Sequence, residues 1–246
     1  MTSGAEQAGK ERIIAAEGQD LRLFIVAGEH SGDALGAKLM SVLNARRRGR
    51  VRYVGVGGAL MAEQGLVSQF PMEDVAVMGL GAILARLPKI LTRVYGTVAA
   101  ATAAEPDALI IIDSPEFTHP IAKRVRRRRP DIPIIDYVSP SVWAWRPGRA
   151  RKMRGYVDHV LALLPFEPEA YRRLKGPPCS YVGHPLIEQL ATLRPNAAEQ
   201  QRRNAEPPVL LVLPGSRRSE IRHHVAVFGE ALGRLRAAGM AFELVL

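Results

Sequence analysis

The sequence predicts an α/β protein built on a parallel sheet, and three observations carry that prediction. Ala108–Ile112 is an apolar run without alternation, as expected of a strand buried on both faces. Up to Phe70 the chain reads strand, helix, strand, helix, strand, an order that implies parallel pairing through crossover connections. After a polar, proline-flanked stretch, a fresh strand–helix–strand unit opens at Val209.

Composition narrows the class. Lys and Arg number 34 against 24 Asp and Glu, a net charge of +10, which favours an anionic partner: phosphate, an acidic membrane surface or nucleic acid. Cys179 is the only cysteine, so no disulfide framework is expected, in keeping with a reducing cytosol. Residues 1–20 are polar, lack the apolar core of a signal peptide and read as a flexible tail. No stretch reaches the ~20 apolar residues that span a bilayer, so the expectation is a chain in solution or on a membrane surface.

Leu21–Ala27 (LRLFIVA) is the first predicted strand. It runs into Gly28-Glu29-His30-Ser31-Gly32-Asp33 and a helix over about Ala34–Leu43. The spacing Gly28, Gly32, Gly36 is not GxGxxG, so the dinucleotide fingerprint is absent. Glu29 and Asp33 make this loop poor company for a diphosphate and better suited to hydroxyl groups. The plainer alternative is that Ser31 or Asp33 caps the helix.

Val51–Val56 reads as the second strand, with Gly57-Gly58, a short helix Ala59–Gln64 and a further strand within Gly65–Phe70. Val75–Val94 is apolar on more than one face and punctuated by Arg86, Lys89 and Arg93, with Pro88 starting or kinking a helix that reaches Ala104. Two readings stand: an ordinary core helix pair, or an exposed apolar patch with a cationic rim.

The apolar run at Ala108 breaks into Asp113-Ser114-Pro115. Proline cannot donate to a ladder and biases Ser114 toward an extended conformation, so the strand ends there. Asp113 then sits at the carboxyl edge of a central strand, where open α/β sheets bind ligands, or else caps the next turn. A helix over His119–Arg128 ends in Arg126–Arg129, cations that complement its dipole. With no interleaved aromatic platform, this run does not argue for nucleic acid.

Ile132–Val138 is the next strand and leads into Ser139-Pro140-Ser141-Val142-Trp143-Ala144-Trp145-Arg146. Both tryptophans lie here, on one face if the segment is extended. A basic helix Arg146–Arg154, a strand Val160–Leu164, a helix Glu169–Leu174 and a strand at Tyr181–Val182 follow, with a hinge at Gly183-His184-Pro185. The expected organisation is a domain over 21–190, a linker over 191–208 and a second unit over 209–246, too short to bury a core of its own.

Seven segments together carry a resemblance. They are VAGEHSGD (Val26–Asp33), AVMG (Ala76–Gly79), IDSPEF (Ile112–Phe117), YVSPSVWAWR (Tyr137–Arg146), LPFE (Leu164–Glu167), VGHP (Val182–Pro185) and LPGSRRSE (Leu213–Glu220). In this order they resemble the lipid-A-disaccharide synthases, inverting glycosyltransferases of GT-B type. The resemblance implies two Rossmann-like domains, the second incomplete in this chain and the chain inactive alone. It implies transfer of 2,3-diacylglucosamine from UDP-2,3-diacylglucosamine to the 6-hydroxyl of 2,3-diacylglucosamine 1-phosphate, giving the β-1,6 disaccharide and UDP. It places the protein in the cytoplasm of a Gram-negative cell, peripheral on the inner-membrane lipid surface, and implies no metal and no cofactor, the UDP-sugar being a substrate.

Carried onto these residues, the resemblance makes Asp113 the base that takes the acceptor proton, with Glu29 a rival. Gly28, Ser31, Gly32, Asp33, Ser139 and Ser141 become acceptor contacts. Gly215, Ser216 and Arg217 open the second unit's helix and suit the UDP diphosphate, unless Arg217 makes a surface salt bridge. Val77, Met78, Leu80, Ile83, Leu84, Leu87, Ile90 and Leu91 become the acyl or membrane patch. Trp143 and Trp145 stay open between interface belt, core packing and a homodimer contact. Thr118 stands where the family often has Asn. The competing expectations are a non-catalytic acyl-lipid or membrane-binding module, and another GT-B enzyme of a soluble UDP-sugar, such as an epimerase.

Overall fold

The computed structural model describes residues 20–48, 50–75, 80–203, 206–215 and 218–246. The tail, Val77, Met78, Ser216 and Arg217 therefore lie outside the described residues, as do the side chains of Leu80, Ile83 and Leu84.

Two compact units divide after Pro185. The first is organised on a seven-stranded sheet of β1 (Leu21–Ala27), β2 (Val51–Val56), β3 (Val67–Ser68), β4 (Ala108–Ile112), β5 (Ile134–Tyr137), β6 (His159–Ala162) and β7 (Cys179–Tyr181). Their order is β3-β2-β1-β4-β5-β6-β7, with every neighbouring pair parallel. The chain builds outward from β1 in one direction and from β4 in the other. The junction between those two strands is thus the topological switch point, where an open sheet leaves a crevice at its carboxyl edge.

The unalternated apolar runs have a direct cause. On β1, Phe24 and Val26 face one side, in a core with Leu109, Ile111, Ile121 and Val125. Leu23, Ile25 and Ala27 face the other, with Ile110, Ile112, Met40 and Met61. Side chains on both faces must be apolar because helices cover both.

The helices of this unit are α1 (His30–Arg46), α2 (Ala59–Glu63), α3 (Leu80–Ala103), α4 (Pro115–Arg128), α5 (Gly148–Met153) and α6 (Glu167–Arg173). Two begin four residues before the expected start. In α1, Glu29 is the extended N-cap (φ −154°) and Gly32 lies within the first turn. A Cβ on Gly32 would stand 3.3 Å from the Ile112 carbonyl, so the glycine serves close helix–strand approach and not a loop. In α4, Pro115 takes the first helical position, where its missing N–H costs nothing. Ser114 before it is left-handed (φ 44°, ψ 56°), not extended as the proline suggested. Helix α3 starts at Leu80 and runs through Pro88.

The second unit, Leu186–Leu246, holds α7 (Ala197–Arg202), β8 (Val209–Leu211), α8 (Arg218–Ala237) and β9 (Glu243–Val245). Strands β8 and β9 pair in parallel. Helix α7 falls inside the stretch expected to be a linker, started by a reciprocal capping box between Asn196 and Glu199. None of the unit's residues with a described burial is buried, as a two-strand layer of this size dictates.

Candidate functional site

The loops after β1 and β4 meet at the switch point. Asp113 follows β4 directly, and its N–H donates to the Tyr137 carbonyl of β5 at 3.1 Å. Asp113 (φ 52°) and Ser114 (φ 44°) are consecutive non-glycine residues in the left-handed region. Such a conformation costs about 1–3 kcal/mol per residue and persists only where its surroundings hold it. Here the holding groups are visible. Asp113 Oδ1 accepts from the Ser114 N–H at 2.8 Å, and Thr118 Oγ1 donates to the Asp113 carbonyl at 2.8 Å.

Asp113 therefore caps its own turn with one oxygen only. The other, Oδ2, accepts from Ser31 Oγ at 3.3 Å, across the two loops. Gly28 lets the loops close to this distance, and Glu29 sits beside it, half-buried at the N-cap of α1, where its carbonyl accepts the Asp33 N–H at 3.0 Å and its side chain makes no cap bond.

A cleft of about 470 Å³ opens on Asp113 and is walled by Glu116, Val138, Ser139, Ser141, Trp145 and Arg146 among others. Two more strained residues stand on it, Val138 (φ 76°) and Arg146 (φ 46°). A β-branched valine at positive φ is a genuine outlier, and three positive-φ residues, Asp113, Val138 and Arg146, line this one cleft at the carboxyl edge of the sheet. No residue pattern announces this, because strain follows from tertiary contacts.

Other expected acceptor residues are placed differently. Asp33 is buried and turned away from the cleft's lining. Its Oδ1 accepts from the Gly58 and Met61 amides (2.8 and 3.1 Å) and its Oδ2 from the Leu60 amide (3.1 Å). It caps α2, a neighbouring helix, and is a structural group. Ser139 lines the cleft, but its hydroxyl lies 2.8 Å from the Tyr171 hydroxyl, whose acidity burial suppresses. Ser141 is exposed on the cleft, and its carbonyl accepts the Trp145 N–H at 2.8 Å. That turn separates the tryptophans. Trp143 packs edge-on against Phe166 at 5.0 Å, whereas Trp145, 74% exposed, lines the Asp113 cleft.

Beside this cleft lies a second, of about 510 Å³, sharing Pro115, Glu116, Arg146 and Arg149 with the first. On its floor, His119 Nδ1 lies 2.8 Å from the Tyr156 hydroxyl and His119 Nε2 3.5 Å from Asp136 Oδ2. Burial raises the Asp136 carboxyl above the usual range, the charge of Asp113 adds to this, and His119 opposes it. Burial likewise pushes Tyr156 up to about 12. None of these residues stood out in the sequence, since they come from separate strands and helices.

On α3, Leu87 and Leu91 are 41% and 43% exposed one helical turn apart, while Ile90 is partly buried, packed against the core. The cationic rim is partly neutralised. Asp74 accepts from Lys89 at 2.6 Å and from Arg93 at 2.6 and 3.0 Å, bonds that hold its carboxyl below the usual range. In the second unit, Gly215 has φ 106° just ahead of α8, and a Cβ there would meet Glu220 Oε2 at 2.6 Å. Among the described residues no group of three or more His, Cys, Asp or Glu could hold a metal, and no helix is long and apolar enough to cross a membrane.

Comparison with known proteins adds three findings. Residues 23–246 match the family model described as lipid-A-disaccharide synthetase. Among curated relatives named lipid-A-disaccharide synthase, that of Rhodopseudomonas palustris (strain BisB18) is 66% identical over 92% of this chain and 57% of its own length. That of Rhodospirillum centenum is 48% identical over 86% of this chain and 53% of its own. The chain thus spans little more than half the length of these relatives. Among solved structures, a UDP-GlcNAc 2-epimerase from Neisseria meningitidis bound to UDP-GlcNAc superposes with a TM-score of 0.51 at 12% identity, covering 92% of this chain and 66% of that one. At that identity the likeness speaks to fold alone, a Rossmann-like α/β fold of GT-B type.

Proposed function

The chain belongs to the lipid-A-disaccharide synthetase family, and from that premise we propose that it is the acceptor-binding part of an inverting glycosyltransferase with Asp113 as general base. In this reading the 6-hydroxyl of 2,3-diacylglucosamine 1-phosphate lies in the cleft at the switch point. Asp113 takes its proton as the oxygen attacks the anomeric carbon of UDP-2,3-diacylglucosamine. The bond to UDP breaks on the opposite face, and the β-1,6 disaccharide and UDP result. The proton stays on Asp113 until solvent removes it.

The observation that carries the reading is the pairing of Ser31 Oγ with Asp113 Oδ2 across the two loops at 3.3 Å. One carboxylate oxygen is fixed by the turn and the other is held by a hydroxyl that a substrate hydroxyl could replace, on a residue that lines the cleft. Such a base contributes typically ~10²–10⁴-fold. Glu29, one residue beyond Gly28, is the alternative base. Gly215, with Ser216 and Arg217, would bind the UDP diphosphate, where amide donors and a guanidinium suit the departing charge. Leu87 and Leu91, with a net charge of +10, would hold the protein on the anionic inner face of the cytoplasmic membrane near its acylated substrates.

The test is kinetic. In a form spanning the relatives' full length, Asp113→Ala should remove transfer while leaving acceptor binding in place, and Ser31→Ala should cost less. Turnover close to wild type in Asp113→Ala would transfer the role to Glu29 or end the proposal.

A further inference from the structure

We propose that the second cleft, beside the one holding Asp113, is a phosphate-monoester site, and that it takes the anomeric phosphate of the acceptor sugar. The second half rests on the reading above.

The cleft is formed by one face of α4 and the start of α5. Glu116, His119, Pro120 and Lys123 follow each other along α4 at helical spacing, and Arg146, just ahead of α5, with Arg149 and Lys152 on it, lines the other side. Four cationic side chains thus face one carboxylate, Glu116, which Arg149 already engages at 2.6 Å. Lys123, Arg146 and Lys152 make no ion pair with a described carboxylate. The contrast with the rest of this unit is informative. Arg93 is tied to Asp74, Arg126 to Asp158, and Arg129 to Glu105 and Asp131. Here several described cations converge on a concavity with one carboxylate, Glu116, on its wall.

That convergence has a cost, visible at Lys123. Its ammonium stands 5.0 Å from the centre of the Tyr156 ring, and its pKa is lowered, by burial first and then by Arg149, Lys152 and Arg127. An anion seated among these groups relieves the repulsion. A guanidinium fork and two ammonium groups around a pocket of about 510 Å³ suit a compact dianion better than an extended polyanion.

Position adds the second argument. The two clefts share a wall of Pro115, Glu116, Arg146 and Arg149. In a hexosamine 1-phosphate the anomeric carbon and the carbon that bears the 6-hydroxymethyl group flank the ring oxygen, so the phosphate and the 6-hydroxyl project from the same side of the ring's perimeter. A base in one cleft and a cationic cradle in the adjoining one can hold both groups and set which hydroxyl meets Asp113.

A phosphate could also come from a phospholipid headgroup, so the experiment separates the sources. Titrate the 246-residue chain calorimetrically with glucosamine 1-phosphate, with glucosamine, and with phosphatidylglycerol vesicles. Repeat with Lys123→Gln, Arg146→Gln and Asp113→Asn, all checked by melting. The expected result is glucosamine 1-phosphate bound about tenfold or more tighter than glucosamine, as a single charge-assisted contact supplies. That preference should fall in both cation variants, persist in Asp113→Asn and be competed by inorganic phosphate. Equal binding of the two sugars overturns the proposal, a comparison that needs no variant. So does a preference indifferent to both substitutions, or vesicle binding that depends on Lys123 and Arg146 without sugar-phosphate preference. The two readings fail separately. Lost phosphate preference with Asp113 still essential for transfer sinks only this inference, and retained preference with an active Asp113→Ala enzyme sinks only the general base.

Discussion

A Cβ on Gly28 would stand 2.8 Å from the Cβ of Ser114, a distance that bonded neighbours aside no real side chain tolerates. The loop after β1 and the loop after β4 are therefore in contact through a residue with no side chain, and the Ser31–Asp113 pair exists because of it. Gly28→Ala should push the loops apart, destabilising the fold by about 1–3 kcal/mol as an overpacked site. Transfer should fall by more than that loss of folded protein explains. Denaturant titration alongside kinetics on the folded fraction checks this. A variant with wild-type turnover would show that loop contact is not needed for the chemistry.

Asp33 gives a prediction of the opposite kind. It accepts three backbone amides at the start of α2, and Gly58 must lack a side chain because a Cβ there would lie 2.5 Å from Asp33 Oδ2. Asp33→Ala leaves those donors unpaired and should cost about 1–3 kcal/mol in urea titrations. Asp33→Asn, which keeps one acceptor oxygen, should cost less. Acceptor binding by the folded fraction should change little in either, and a selective loss of binding at full stability would return Asp33 to the acceptor site.

These two residues show what could be read in advance. The bounds of β1, β2 and β4 were legible because each is a mainly apolar run that stops at glycine or aspartate, β4 being buried at every position. The starts of α1 and α4 were not, because Gly32 and Pro115 look like helix breakers and are here the residues that let each helix begin close to the sheet. Asp113 was legible as a carboxylate at a strand end. The cationic cleft was not. Lys123 and Lys152 are 29 positions apart and meet only because α4 and α5 flank neighbouring strands. Strain at Val138 was equally hidden, since nothing about a valine predicts a positive φ.

The exposed stripe on α3 yields a prediction about surfaces. Leu87 and Leu91 are two-fifths exposed, so changing both to Ser should leave the melting temperature close to wild type. Co-sedimentation with anionic vesicles should drop several-fold if this stripe contacts lipid. Ile90→Ser is the contrasting variant. It packs against the core and should lower stability. Unchanged vesicle binding in the double variant would leave the stripe as ordinary surface.

Asp136 supplies the pH dependence. It is 1% exposed, and burial raises its carboxyl pKa, with Asp113 reinforcing and His119 opposing. An acid whose folded pKa lies above its unfolded value keeps its proton longer when folded. Between the two values the native state binds more protons than the unfolded chain, so stability falls as pH rises. The window opens at the ordinary carboxylate value, about 4, and extends upward. Relative to Asp136→Asn, the wild type should therefore lose stability as pH rises above the ordinary carboxylate value, about 4, in urea titrations. Asp113→Asn removes the reinforcing charge and should make the slope shallower. If the wild type instead gains on the Asn variant as pH rises, Asp136 is held ionised in the fold, and burial does not dominate its titration.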